Sequence, residues 1–449
     1  MKSINPWNGE VIFEHRADSD SIVNNKIIKA EVAFSKWRKL SFEKRAEKLE
    51  ALAQKLEAQK AELAILMTRE MGKPIKQAEA EIEKCAWVCR YYAKNAAAFL
   101  SDEIIQTDAQ KSFVRHNPLG VLLGIMPWNF PFWQFFRFAA PSVMAGNTVL
   151  LKHASSVMQC AKAIEKLFLE ADFPEGVAQS LIIPSSAVQS VIENPVVKAV
   201  SLTGSEFAGA KVASQAGAKI KKTLLELGGS NAFIVFEDAD IEMAAEKAVW
   251  ARYQNTGQSC IAGKRFLVQE QVYEAFKTSF IEKLEKLKFG NPEETDTKIG
   301  PMASVKLAEE LEKQLQESVK KGAQLTLGGN RNGAKFEPTI LEKIKPGMPA
   351  FDEELFGPVA AFSKFSTEEE AVKLSNESNF GLGVSICTND KSRIKRLIDQ
   401  MDEGAVFFNE LVKSDPRLPF GGIKNSGYGR ELSKAGIVEF VNQKTVYIA

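Results

Sequence analysis

Gly120-Val121-Leu122-Leu123-Gly124-Ile125-Met126-Pro127-Trp128-Asn129-Phe130-Pro131 is the run that sets the fold class. Val121 to Met126 has no polar alternation, so it reads as a strand buried on both faces, and Pro127 ends it. An aromatic-rich segment near 133 to 145 then reads as a helix. The same period repeats downstream, with strands at Thr148 to Leu151, Leu181 to Ile183, Val197 to Leu202 and Lys222 to Leu225, and helices near 157 to 171 and 206 to 216. Strand followed by helix, over and over, predicts an α/β fold built on a doubly wound parallel sheet. Ligands of such sheets bind beyond the carboxyl ends of the strands.

A second α/β series runs from about Ser230 to Arg430, with strands near 232 to 236, 265 to 268, 323 to 327, 359 to 362, 383 to 387 and 405 to 408. No Gly/Ser/Pro linker parts the two halves, so Glu226 falls at their border, where clefts form. Upstream, Leu49, Leu52, Leu56, Leu63 and Leu66 make one apolar stripe, which predicts a helix over residues 26 to 71 stopped by Gly72-Lys73-Pro74. An Ala/Glu-rich helix follows to about Leu100. From Ser101 to Asn117, short alternation predicts a hairpin projecting from the body. The tail, Thr445 to Ala449, reads as a strand suited to a neighbouring subunit's sheet edge.

A chain of 449 residues exceeds one hydrophobic core and implies about two or three domains. Lys+Arg at 58 against Asp+Glu at 57 gives no bulk attraction to nucleic acid or to an acidic membrane. The N-terminus is too polar for a secretory signal, and no apolar run is long enough to span a membrane. The five cysteines are odd in number and scattered, which points to a reducing cytoplasm. Cys85 and Cys89 share a helical face without a second ligand pair, and the three histidines form no ligand motif, so no metal is expected.

Chemistry concentrates in Asn255-Thr256-Gly257-Gln258-Ser259-Cys260. An unpaired cysteine is more often a small buried hydrophobe, yet on a Gly/Ser loop its thiol meets substrates and backbone N–H groups. Glu226 lies a strand, a helix and a turn upstream, so a carboxylate and a thiol share one pocket. Asn129 is either a turn residue or a rigid amide donor for an oxyanion. Lys152 closes a strand, where it meets a ribose or phosphate, and Ser155 beyond it supplies no acid to repel a 2′-phosphate. Thr203-Gly204-Ser205 opens a helix whose N-terminus suits an anion. Walker and GxGxxG signatures are both missing from the chain.

Taken together, the PWNFP run, Lys152, Thr203-Gly204-Ser205, Glu226-Leu227-Gly228-Gly229, Gly257-Gln258-Ser259-Cys260, Glu354-Leu355-Phe356-Gly357-Pro358 and Pro419-Phe420-Gly421-Gly422 resemble the aldehyde dehydrogenase superfamily, in that family's order. The resemblance implies an NAD(P)-binding domain (1–100 and 119–228), a catalytic domain (229–435) and an oligomerisation hairpin and tail (101–118 and 436–449) that pair subunits into a homodimer or homotetramer. Carried over by motif, it makes Cys260 the nucleophile, Glu226 the general base, and Asn129 with the Cys260 backbone N–H the oxyanion hole. Lys152 and Glu354 become ribose ligands of NAD or NADP, Ser155 leaves NADP open, Trp128, Gly204 and Ser205 line the adenosine-diphosphate path, and Phe356 lies beside the nicotinamide ribose. On its own, Glu354 reads as one of a solvated pair with Glu353.

Arg137 bears on the substrate, a small aldehyde. Succinate-semialdehyde dehydrogenases resemble this chain in having arginine there, and a guanidinium pairs bidentately with a carboxylate; read alone, Arg137 is also consistent with a surface helix. Ser414 matches the same pattern, and Phe420 is the expected aromatic wall. Gln254 departs from it, standing where some of those enzymes have a second arginine. The short length and the phrases Leu151-Lys152-His153-Ala154 and Tyr253-Gln254-Asn255-Thr256 resemble a compact bacterial branch of these enzymes. The expectation is oxidation of succinate semialdehyde to succinate. Another short aliphatic or dicarboxylic semialdehyde is the alternative, followed by a cofactor-independent cysteine hydrolase, for which only His153 lies near a catalytic segment.

Overall fold

The computed structural model describes all of residues 1–449. Its first sheet has the order Gly427–Tyr428, Lys222–Glu226, Val197–Thr203, Val121–Met126, Thr148–His153, Ala178–Ser180, parallel throughout except for Gly427–Tyr428. The chain enters at the centre with Val121–Met126, steps outward to Ala178–Ser180, then crosses back to Val197–Thr203. The switch point therefore lies between Val121–Met126 and Val197–Thr203, where a doubly wound sheet opens a crevice.

A second sheet runs Gln324–Leu327, Thr339–Glu342, Val359–Phe365, Gly263–Gln269, Asn231–Val235, Val384–Cys387, Val406–Phe408, with only Gln324–Leu327 antiparallel. The Gly427–Tyr428 strand returns from this half to the edge of the first sheet, pairing Gly427 with Glu226. A third sheet joins Val441–Ile448, Lys111–Pro118 and Glu103–Ile104.

Three sequence expectations need correction. The helix expected over 26 to 71 is three helices, Asp20–Trp37, Phe42–Ala58 and Lys60–Met71, because Ser19 and Ser41 cap new starts and Gln59 breaks the third from the second. Leu181 to Ile183 is buried but not a strand; the edge strand is Ala178–Ser180. The tail strand spans Val441–Ile448 and pairs along its whole length with Lys111–Pro118 of its own chain. The next helix, Ile75–Phe99, buries both Cys85 and Cys89 completely. No helix is long and apolar enough to cross a membrane.

Candidate active site

Three strand ends converge on the crevice. Past Val121–Met126 stand Trp128 and Asn129, past Val197–Thr203 stand Gly204 and Ser205, and Glu226 is the last residue of Lys222–Glu226. Ser205 caps the helix Glu206–Gly217, and that N-terminus opens into a cavity of about 240 Å³ lined by Trp128, Gly204, Ser205, Cys260, Glu354 and Phe356. Trp128 and Phe356 meet edge to face at 5.7 Å. A second cavity, of about 300 Å³, is lined by Arg137, Gln254, Cys260, Ser414 and Phe420. Cys260 belongs to both, so the thiol stands at their junction.

Cys260 follows a backbone that L-residues adopt only under constraint. Asn255 (φ 54°), Thr256 (φ 57°) and Gly257 (φ 73°) are consecutive left-handed residues, and for β-branched Thr256 this is a strained conformation. Side-chain bonds hold the turn: Asn255 Nδ2 donates to Asn129 O (2.8 Å) and Gln258 O (3.1 Å), and Gly300 N donates to Thr256 Oγ1 (3.0 Å). Asn129 Nδ2 also donates to Gln258 O at 3.1 Å, which leaves its other N–H for the cavity. The Cys260 backbone N–H makes no hydrogen bond within the chain. Two free donors thus flank the thiol, as an oxyanion would require.

Lys264 ties this loop to its surroundings. Its buried ammonium donates to the carbonyls of Gly229, Ser259 (2.8 Å) and Cys260 (2.9 Å) and to Glu354 Oε1 (2.8 Å). Gly229 N reaches the same Glu354 oxygen at 3.1 Å, and Oε2 is left without a protein partner. A side chain at Gly228 would collide with that carboxylate. Lys264→Met removes the cation paired with Glu354 and leaves Gly229 O and Cys260 O without a donor, so it is expected to destabilise the protein by about 3–5 kcal/mol; the midpoint of urea unfolding reads this directly.

Cys260 Sγ is 4.0 Å from Glu226 Oε2. Burial, then the Glu226 charge, pushes the thiol pKa up to about 12. Burial likewise raises Glu226 to about 8, outweighing the Arg137 guanidinium. Arg137 is itself fully buried beneath Phe420, with Nη2 at 3.4 Å from both Glu226 Oε2 and Thr203 Oγ1, and it is ion-paired with Glu431. Its burial overturns the surface-helix reading, and two of the carboxylates that meet its guanidinium belong to the protein.

Lys152 and Ser155 lie outside both cavities, on the neighbouring strand and the turn after it. Lys152 Nζ has only Ser185 Oγ, at 3.4 Å, and burial lowers its pKa. His153 bonds Pro131 O at 2.9 Å and is pushed down to about 4 by burial, so it is engaged away from the thiol and offers no hydrolase dyad. Lys84, Lys264 and Glu431 were not singled out by the sequence. None of the three carries a local sequence signal, and only the fold turns them inward.

A buried thiol, a carboxylate and two free N–H donors, set where two cavities meet beyond a doubly wound sheet, make a cleft suited to acyl chemistry on sulfur. The chain belongs to the aldehyde dehydrogenase family, whose model matches residues 1–446. It is 48% identical over 452 residues to a Synechocystis protein named "Probable succinate-semialdehyde dehydrogenase", of the NADP(+) type, with all of both chains covered. Identity is 45% to the NADP(+) succinate-semialdehyde dehydrogenase 1 of Mycobacterium tuberculosis, again with all of both chains covered. A solved structure of succinic semialdehyde dehydrogenase from Streptococcus pyogenes with NADP+ as the cofactor superposes with a TM-score of 0.97 at 36% identity, covering 100% of this chain and 99% of that one.

Proposed function

We propose that this chain oxidises succinate semialdehyde to succinate with NADP+. The observation that carries the reading is Cys260 at the junction of two cavities, one walled by Arg137 and the other by Glu354 and a helix N-terminus. The names of the full-length relatives support the substrate and the cofactor.

The donor set fits a dinucleotide. Lys152 has no carboxylate partner, and Glu354 Oε2 is free to accept from a ribose hydroxyl. Ser155 follows Lys152 without an acid in the turn, so nothing there opposes a 2′-phosphate. Gly204, Ser205 and Trp128 would hold the diphosphate path, and Phe356 would flank the nicotinamide ribose. When bound, NADP+ supplies the two-electron oxidant.

The chain's own residues do the rest. Cys260 Sγ adds to the aldehyde carbon, with its proton passing toward Glu226, and Asn129 Nδ2 and the Cys260 N–H receive the oxyanion. After oxidation the acyl group is a thioester on Cys260, and a thiolate is a good leaving group. Glu226, once it has given the first proton to solvent, takes a proton from the attacking water, and the C–S bond breaks to release the acid and the Cys260 thiolate. Arg137 and Ser414 meet the substrate carboxylate, Phe420 walls its methylenes, and Gln254 borders the same cavity.

Residues 1–100 and 119–228 make the cofactor-binding part and 229–435 the catalytic part in this reading. The hairpin and tail, 101–118 and 436–449, carry exposed Ile104, Tyr447 and Ile448, which supports subunit pairing along the free strand edge into a dimer or tetramer. Five unpaired cysteines support a reducing, cytoplasmic setting.

Cofactor reduction followed by absorbance tests the proposal. Succinate semialdehyde is expected to exceed butanal in kcat/KM by about tenfold or more, the worth of one charge-assisted contact. Equal values for the two aldehydes would remove the substrate assignment, and a preference for NAD+ over NADP+ would remove the cofactor.

A further inference from the structure

Lys84 projects from the helix Ile75–Phe99 into the wall of the cavity that holds Arg137 and Cys260. Its Nζ donates to Ser414 Oγ at 2.8 Å and lies 4.2 Å from the centre of the Trp133 ring. Trp133 Nε1 donates to the same oxygen at 3.1 Å. Ser414 Oγ thus accepts twice. Its own hydrogen and the remaining N–H bonds of Lys84 have no acceptor in the chain, so the cluster is rich in donors.

The carboxylates around Lys84 are all committed elsewhere. Glu81 is ion-paired with Lys73 and accepts from the backbone N–H groups of Phe132 and Trp133. Asp415 is held by the Arg417 guanidinium at 2.7 and 2.9 Å, and Glu410 by Lys247 and Lys413. A sheltered ammonium without a counter-ion is unusual, because desolvation costs it more than a hydroxyl contact returns. Burial, then the charge of Arg137, lowers its pKa to about 8. Two cations therefore face one cavity whose lining carboxylates, Glu81 and Glu410, are already paired with other lysines, and an entering anion relieves their repulsion.

We propose that Lys84, with the Ser414 hydroxyl as its anchor, is the second cation that grips the substrate's far carboxylate, the place that Gln254 leaves unfilled. This rests on the succinate semialdehyde reading above. Arg137 is ion-paired with Glu226 and Glu431, whereas Lys84 is bonded only to the Ser414 hydroxyl and to no carboxylate. A carboxylate oxygen takes one Lys84 N–H and the other oxygen takes the Ser414 hydroxyl. The residue acts on binding and specificity, and takes no part in bond making.

Steady-state kinetics at saturating NADP+ compare succinate semialdehyde with butanal for wild type, K84M, K84R and S414A. K84M keeps the apolar stem against Trp133, and is expected to raise KM for succinate semialdehyde about tenfold to a hundredfold, with kcat little moved. The specificity ratio over butanal falls by the same factor, K84R restores most of it, and S414A moves KM in the same direction by less. Loss of kcat/KM for both aldehydes together would make Lys84 a structural residue and overturn the proposal. An intact ratio in K84M beside a clear wild-type preference overturns the Lys84 assignment alone; if K84M fails to fold, an unchanged KM in S414A does the same. Absence of any wild-type preference brings down the substrate reading, and this inference with it.

Discussion

Cys260→Ala is expected to lower kcat/KM by about 10⁴-fold or more while NADP+ still binds, because the variant loses every covalent step and keeps the dinucleotide cavity. Initial rates and titration of protein fluorescence with NADP+ check the two halves. Cys260→Ser separates nucleophile from leaving group: an alkoxide is expelled far less readily than a thiolate, so the serine variant is expected to stay close to the alanine one. The resting thiol has a pKa near 12 through burial and the nearby Glu226, so free enzyme should react slowly with iodoacetamide at neutral pH. The labelling rate should then rise by about tenfold per pH unit, following the thiolate fraction. Fast labelling at neutral pH would place the sulfur in a different environment from the sheltered junction described here.

The alternating architecture was legible because buried parallel strands carry unbroken apolar runs, and Val121–Met126 and Lys222–Glu226 fall within a residue of their sequence readings. The family and fold implied by the motifs agree with the matched family and solved structures. Periodicity failed where tertiary bonds replaced it. The strand Ala178–Ser180 carries Gln179 and Ser180, whose side chains donate to Lys26 O (2.8 Å) and Ala161 O (2.6 Å), so two polar residues are satisfied inside. Its apolar neighbours Leu181 to Ile183 looked more strand-like and are not one. The stripe from Leu49 to Leu66 spans a helix break at Gln59, since both helices turn the same face to one core.

At the site, residues in conspicuous company could be found: Asn129 between prolines, Cys260 on its loop, Glu226 at a border. Lys84 and Lys264 could not. A lysine in an Ala/Glu-rich helix and a lysine at a strand start have the same local appearance as solvated ones, and burial is decided by segments far away in sequence. Arg137 shows the intermediate case. Its position on the helix Trp133–Ala145 was readable, but its ion pairs depend on the strand end at Glu226 and on the distant Glu431, bridged to Phe420.

Those ion pairs bear on the second large effect. Glu226→Gln is expected to cut steady-state kcat by about 10²–10⁴-fold, the range of a lost general base, while a first turnover of NADPH persists. Rapid mixing should show a burst close to one equivalent per active site, followed by slow release, since acylation leaves a thioester that glutamine cannot help water to cleave. Burial sets the Glu226 pKa at about 8, and the base is its ionised form. Below that pH the carboxyl is mostly neutral, so kcat in the wild type should climb with pH, by about tenfold per unit at the acid end, and level off above 8. Glutamine removes the titrating group, and the slope should disappear with it. A residual slope in Glu226→Gln would assign the titration to another group, the candidate being Glu431, which is ion-paired with Arg137 and is also raised by burial. A variant without a burst would instead make Glu226 necessary for thiol attack, shifting its main role to taking the Cys260 proton across the 4.0 Å between them.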